Sequence, residues 1–145
     1  IISEKGKVYR RENKEKIAER ERRYRIKNKD AIRLRKRMYK LKRKTLKNKL
    51  PITLTLEQWI QTKEYFNNSC AYCGLSEEEH LEKYNEILHQ DHFIALTNGG
   101  GYTKENIVPA CKNCNSSKNN NDFFNWYPKQ DFYDKEKEQK ILQYI

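Results

Sequence analysis

The apolar positions of the chain fall into two regimes. Over residues 3–49 they are few, and they recur at helical spacing: Tyr9, Ile17, Tyr24, Ile32 and Tyr39 lie eight or seven apart, two helical turns each. Only Gly6 interrupts this stretch and no proline occurs before Pro51, so it reads as one long helix that Leu50-Pro51 stops. It is built on a fifteen-residue repeat. Tyr9-x-x-x-Asn13-Lys14-Glu15-x-Ile17 returns as Tyr24-x-x-x-Asn28-Lys29-Asp30-x-Ile32, and Tyr39 opens a third, degenerate copy. Asn13, Arg20, Asn28 and Arg35 fill the turns between the apolar positions. The stripe is too narrow and polar for a strong coiled coil, which wants apolar residues at a and d of every heptad.

From Thr53 onward the pattern is that of a compact body. Thr55 with Gln58 forms a capping box, and Leu56, Trp59, Ile60, Lys63 and Phe66 give an amphipathic helix that Asn67-Asn68 ends. Ser76-x-x-Glu79 caps a second helix expected to run to about Leu88, with Glu77, Glu78, Glu79 and Glu82 on its solvent face. On that acidic helix His80 reads as a surface residue. Leu88–Leu96 reads as a strand, Asn98-Gly99-Gly100-Gly101 as a turn, and Ile107-Val108-Pro109 as a short second strand whose proline suits an edge. Residues 115–124 read as a helix. The cluster Phe123, Phe124, Trp126, Tyr127, Phe132 and Tyr133 could stack bases, but a body this small needs such rings as a packed lid. Asp134–Tyr144 is a last helix, with Ile141, Leu142 and Ile145 as its buried side.

Charge sharpens the division. The net +11 conceals a split: residues 1–50 hold 22 of the 31 Lys and Arg, every arginine among them, and 6 of the 20 Asp and Glu, which leaves them at +16. Residues 51–145 carry −5. This asymmetry predicts a basic arm on a globular domain, residues 1–50 and 51–145, with the arm directed at nucleic acid. A helix of about 45 residues would reach roughly 65–70 Å, near two turns of duplex. Anionic membrane is the other partner class for a basic helix, but the arm lacks the wide apolar face and aromatic anchors that insertion needs. No stretch approaches a membrane span, and no signal-peptide pattern is read.

Four cysteines form two C-x-x-C pairs, Cys70/Cys73 and Cys111/Cys114, with 37 residues between the pairs. Together they read as a structural zinc site in a reducing cytoplasm; two disulfides are the alternative. Between and after them lie Asp91-His92, Asn106 and Asn115. Two strands, a metal knuckle and a helix starting near Asn115 would gather Asp91, His92 and Asn115 at one end of a hairpin.

Asp91-His92, Asn106 fourteen positions on, and Cys111-x-x-Cys114-Asn115-x-x-Lys118 resemble the HNH (His-Me finger) endonucleases, in the subgroup whose hairpin is pinned by four cysteines. The resemblance covers roughly residues 53–145 and is most specific between 70 and 118. Ala95 stands where such nucleases usually have proline. The resemblance implies an α+β fold with a ββα-metal core, four-cysteine zinc knuckles and flanking helices, here carrying a long basic N-terminal helix. It implies hydrolysis of DNA phosphodiesters to 5′-phosphate and 3′-hydroxyl ends. His92 would be the general base, Asp91 and the Asn115 amide oxygen the ligands of a catalytic Mg²⁺ or Mn²⁺, and Asn106 the residue that holds the hairpin loop. Lys118 would contact a phosphate, and Arg20 and Arg35 would meet DNA along the arm. Strand alternation complicates this set, because it places His89 and Asp91 on one face and His92 on the other. The pleat alone pairs His89 with Asp91; only the resemblance selects His92, and a strand end or bulge would be needed to bring His92 and Asp91 together. His89 is then a contact behind the site or to substrate. The rival reading is a non-catalytic zinc-knuckle DNA- or RNA-binding protein, or a scaffold among other subunits of a nucleoprotein assembly.

Overall fold

The computed structural model describes Val8, Tyr9 and residues 11–145. It is a mixed structure of helices around one small sheet, and it divides into two compact units, Ile1–Arg37 and Met38–Ile145. The division falls inside the basic segment and not at Pro51.

The expected single helix over 3–49 appears as α1 (Lys14–Lys27) and α2 (Lys29–Lys47), preceded by helical turns at Val8-Tyr9 and Arg11-Glu12; residues 3–7 and Arg10 lie outside the described residues. The interruptions are the repeat's asparagines. Asn13 and Asn28 both sit at φ −109°, and each donates its side-chain amide to the carbonyl of the tyrosine four residues back, at 3.0 and 2.9 Å. A short polar side chain that bonds the i−4 carbonyl competes with the main chain and bends the helix there. The main-chain ladder continues through Asn28, from Tyr24 O to Asn28 N and from Asn28 O to Ile32 N.

In the second unit, the end of α2 buries Met38 and Thr45 although the sequence around them is dense in Lys and Arg. α3 (Leu56–Tyr65) carries both arms of its Thr55–Gln58 capping box. Its buried side is Trp59, Thr62 and the following Phe66, while Leu56 and Ile60 are exposed. α4 (Glu77–Tyr84) has the Ser76–Glu79 box and stops short of Leu88 because Asn85 turns left-handed at φ 51°.

β1 (His89–His92) and β2 (Ile107–Ala110) pair antiparallel with an unbroken register, His89 opposite Ala110 and His92 opposite Ile107. β1 is shorter than the apolar run 88–96 suggests. Past His92 one more main-chain bond forms, from Phe93 N to Asn106 O at 2.8 Å, and then the partner is a side chain: Asn106 accepts from Ile94 N at 2.8 Å and donates to Ile94 O at 3.1 Å, as a neighbouring strand would. α5 (Lys112–Lys118) begins earlier than expected, because the Cys111 sulfur accepts from Cys114 N and caps it. It ends at Asn119, whose positive φ of 47° redirects the chain into α6 (Phe123–Trp126), capped by Asp122. Phe123, Trp126 and Tyr127 pack with Tyr72 and Phe93 as the lid of the core. In α7 (Lys135–Tyr144) Ile141 is buried and Leu142 is exposed; Tyr144 takes the inward position by bonding Thr62.

Candidate active site

The site is built on β1 and α5, which lie against each other. Two positions of each meet in register. Asn115 Nδ2 donates to His89 Nδ1 at 2.9 Å, and Lys118 Nζ lies 3.1 Å from Asp91 Oδ2. Residues 89 and 91 are two apart on a strand and 115 and 118 three apart on a helix, so each pair shares one face. The opposite face of β1 carries Gln90 and His92 toward Tyr102. Tyr102 donates to Gln90 Oε1 at 3.0 Å, and its ring centroid is 6.1 Å from that of His92. The alternation read from sequence therefore persists, and no bulge relieves it.

Asp91 is almost wholly buried, with Tyr72 donating to Oδ2 at 2.6 Å beside the Lys118 ammonium. Burial pushes its carboxyl upward and the Lys118 charge pulls against that shift. Burial and the neighbouring carboxylate push the Tyr72 phenol well up, so it remains a donor. Lys118 is fully buried; its ammonium donates to His92 O at 2.6 Å as well as pairing with Asp91. This corrects the expectation of a phosphate contact, since a side chain with no exposed surface cannot reach a substrate.

His92 closes β1, nine-tenths buried, and its Nε2 has no hydrogen-bond partner among the described residues. Desolvation, then the charges of Lys118 and Lys44, hold its imidazole down to about 4. His89 is tied on both sides: Nε2 to Glu86 Oε2 at 3.0 Å and Nδ1 to Asn115. With Nδ1 accepting, the proton sits on Nε2, and the Asn115 amide presents its nitrogen to His89 and its oxygen elsewhere. Asn115 thus meets His89 and not Asp91.

His80 is not a surface residue. It is fully buried, donating from Nδ1 to Glu86 O at 2.6 Å and accepting at Nε2 from Lys112 N at 3.0 Å, which braces the start of α5. Asn106 makes a third bond, from Nδ2 to Gly101 O at 2.8 Å. The loop it ties is close-packed: a Cβ on Gly100 would stand 1.7 Å from Ile94 O and 2.7 Å from Asn106 Nδ2. The sequence reading missed Tyr72, Glu86, Tyr102 and Lys44. Glu86 alone had a local signal, three residues before His89.

The four cysteines converge. Their sulfurs all lie within 4.8 Å of one another, and Cys73 and Cys111 are 3.7 Å apart. That separation is far beyond a disulfide's roughly 2.05 Å, all four thiols are free, and it suits two ligands of a tetrahedral metal at about 2.3 Å. The donor set can hold zinc, and its closed four-sulfur composition suits a structural ion. Among the described residues this is the one such cluster of three or more His, Cys, Asp or Glu. No helix of the described residues is long and apolar enough to cross a membrane.

Comparison with known proteins gives a family likeness for the same stretch of chain. Residues 70–121, from the first cysteine to just past α5, match the family model for the HNH endonuclease domain. The chain is also similar to a protein of Bacillus subtilis (strain 168) described as "SPbeta prophage-derived putative HNH endonuclease YoqL", at 43% identity over 76 residues. That match covers 51% of this chain and 33% of the relative, so the chain spans about a third of the relative's length.

Proposed function

We propose that this protein is a metal-dependent HNH endonuclease that hydrolyses DNA, with its basic helical segment as a DNA-binding arm. The observation that carries the reading is His92: a buried imidazole with an unpartnered Nε2, inside the segment that matches the nuclease family. An unmet buried nitrogen marks a place for a water or phosphate. Held near 4, the ring is neutral at working pH and can accept the proton of an attacking water. The negative charge of a bound phosphate raises its basicity toward the useful range.

Asp91 and the Asn115 amide oxygen are the donors for a hard divalent cation, Mg²⁺ or Mn²⁺, which when bound supplies charge neutralisation at the phosphate and leaving oxygen. Both donors are oxygens, and Asn115 Oδ1 is left for such a role because Nδ2 is committed to His89. Tyr72 and Lys118 fix the Asp91 carboxylate, and Asn106 fixes the loop after His92. Zinc at the four cysteines is structural. Arg20 and Arg35 contact the DNA backbone, in keeping with the +16 of residues 1–50. A reducing cytoplasm is the setting in which the four thiols persist.

A supercoiled-plasmid nicking assay over a metal series tests this. Wild type should nick with Mg²⁺ or Mn²⁺, and His92→Ala should lose about a hundredfold or more with DNA affinity little changed. Wild-type-like nicking by His92→Ala would move the base to His89. No nicking by wild type, with the same DNA affinity with and without metal, would favour a binding or scaffold protein.

A further inference from the structure

We infer that Glu86 is a positioning residue for the catalytic metal: through His89 it holds the Asn115 amide with its oxygen turned toward the ion. The inference rests on the endonuclease reading above and extends it to a carboxylate outside the ligand set.

The contacts run in a line from turn to strand to helix. Glu86 follows Asn85, whose left-handed φ of 51° ends α4 and leads the chain toward β1. Glu86 Oε2 accepts from His89 Nε2 at 3.0 Å, and His89 Nδ1 accepts from Asn115 Nδ2 at 2.9 Å. The mount of the carboxylate is tied to the same helix. Buried His80 donates to Glu86 O at 2.6 Å and accepts from Lys112 N at 3.0 Å, so it joins the turn to the first residue of α5, which carries Asn115. The second carboxylate oxygen of Glu86 lies 3.4 Å from Lys112 Nζ. The His89 side chain is 17% exposed, which limits the competition of water for both of its bonds.

An asparagine amide ends in one donor and one acceptor, and only the oxygen can hold a hard cation. Its partner's hydrogen decides which atom faces which way. A carboxylate offers acceptors alone, so Glu86 draws the imidazole proton to Nε2. His89 Nδ1 is then a bare lone pair that takes the amide nitrogen of Asn115, and the amide oxygen is left on the other side. Losing the Glu86 carboxylate removes that demand, and the imidazole can carry its proton on either nitrogen. With the proton on Nδ1 the amide turns over and presents its nitrogen where a cation should bind. Removing a partner that orients a metal ligand in this way typically weakens binding by about 10–100-fold.

The test uses the full chain with zinc at the cysteines, as Glu86→Gln, Asn115→Asp and the double variant, with Glu82→Gln on an exposed position of α4 as control. Glutamine at 86 can donate as well as accept, so it no longer dictates where the His89 proton lies. Aspartate at 115 presents an oxygen whichever way it turns. Mn²⁺ binding is followed by loss of the free-ion EPR signal, and nicking of plasmid gives the Mn²⁺ concentration for half-maximal rate. Glu86→Gln should weaken both by about tenfold or more. Its rate at saturating Mn²⁺ should stay within about threefold of wild type, and Glu82→Gln should match wild type throughout. In the Asn115→Asp background the Glu86→Gln change should cost less than about threefold, because no amide is left to turn over. A loss of folding or of general negative charge would instead cost the same in both backgrounds. That result, or a Glu86→Gln protein with wild-type Mn²⁺ dependence, would overturn the inference alone. A wild type that neither binds Mn²⁺ beside the zinc nor nicks would overturn the endonuclease reading, and this inference with it.

Discussion

Protonating His92 should cost the body stability, and the amount can be worked out from its surroundings. The ring is nine-tenths buried, its Nε2 is unpartnered, and two lysines act on it, so its folded value is about 4 against an ordinary 6.5. A depressed histidine leaves stability intact above the unfolded value and drains it as pH falls toward the folded one. The full difference corresponds to about 3 kcal/mol. Because the unfolded chain titrates first, about 1.3 kcal/mol of this should already be lost between pH of roughly 7.5 and 5.5. Urea unfolding at a series of pH values, with zinc saturating and no magnesium, measures it. Wild type is compared with His92→Gln, which cannot take the proton. Acid effects at the cysteines and elsewhere are common to both proteins and cancel in the difference. The gap between the two curves should shift in the variant's favour by that amount as pH falls. Parallel curves would mean that the imidazole protonates freely in the fold, and the dry, unpartnered setting assigned to it would be wrong.

Other outcomes follow from the same structure. Lys118→Met should destabilise the body by about 3–5 kcal/mol in urea unfolding, because it strands the Asp91 carboxylate, and adding Asp91→Asn should recover part of the loss; a near-neutral Lys118→Met would show that the pair is not dry. Cys73→Ser or Cys111→Ser, or chelation of the wild type, should abolish the cooperative melt seen by circular dichroism, since this small core has little else to replace metal binding. An intact melt without zinc would refute that. Replacing Arg20, Arg22, Arg23, Arg25 and Arg35 with Gln should flatten the dependence of log affinity on log salt by about 0.9 for each phosphate no longer neutralised, about four units in all. An unchanged slope would turn the arm toward a protein partner.

What could be read in advance was local in the chain. Both capping boxes, the cysteine pairs and the hairpin turn are patterns within a few residues, and each has its expected physical form. The parts that escaped are pairings across the fold. Nothing beside Lys118 signals that its charge meets Asp91 on another element, and nothing in an acidic helix signals that His80 is enclosed by Glu86 and Lys112. The end of α2 was hidden most completely. Charge marks it as arm, and only burial shows that Met38 and Thr45 anchor it in the body. Cutting at Pro51 would therefore remove part of the core, which is why neutralising charges is the cleaner probe of the arm. The shortened β1 has a similar cause: a side chain, Asn106, does the work of a further residue pair beyond the strand, and hydrophobic pattern does not register such a substitution.

The asparagines of the repeat give the first unit an expected dynamic signature. Asn13 and Asn28 each make a tyrosine carbonyl share its acceptor oxygen between the main-chain N–H and the side-chain amide, at the same place in successive repeats. Little packing supports the helices between them, since α1 buries no residue at all. Openings in such a segment are set by local hydrogen bonding, not by packing. The arm should not fray evenly from one end. Its amide exchange should rise and fall with a period of one repeat, with the fastest sites next to Asn13 and Asn28. On a straight duplex or a curved one, those two points are where the rod would flex to stay on its track.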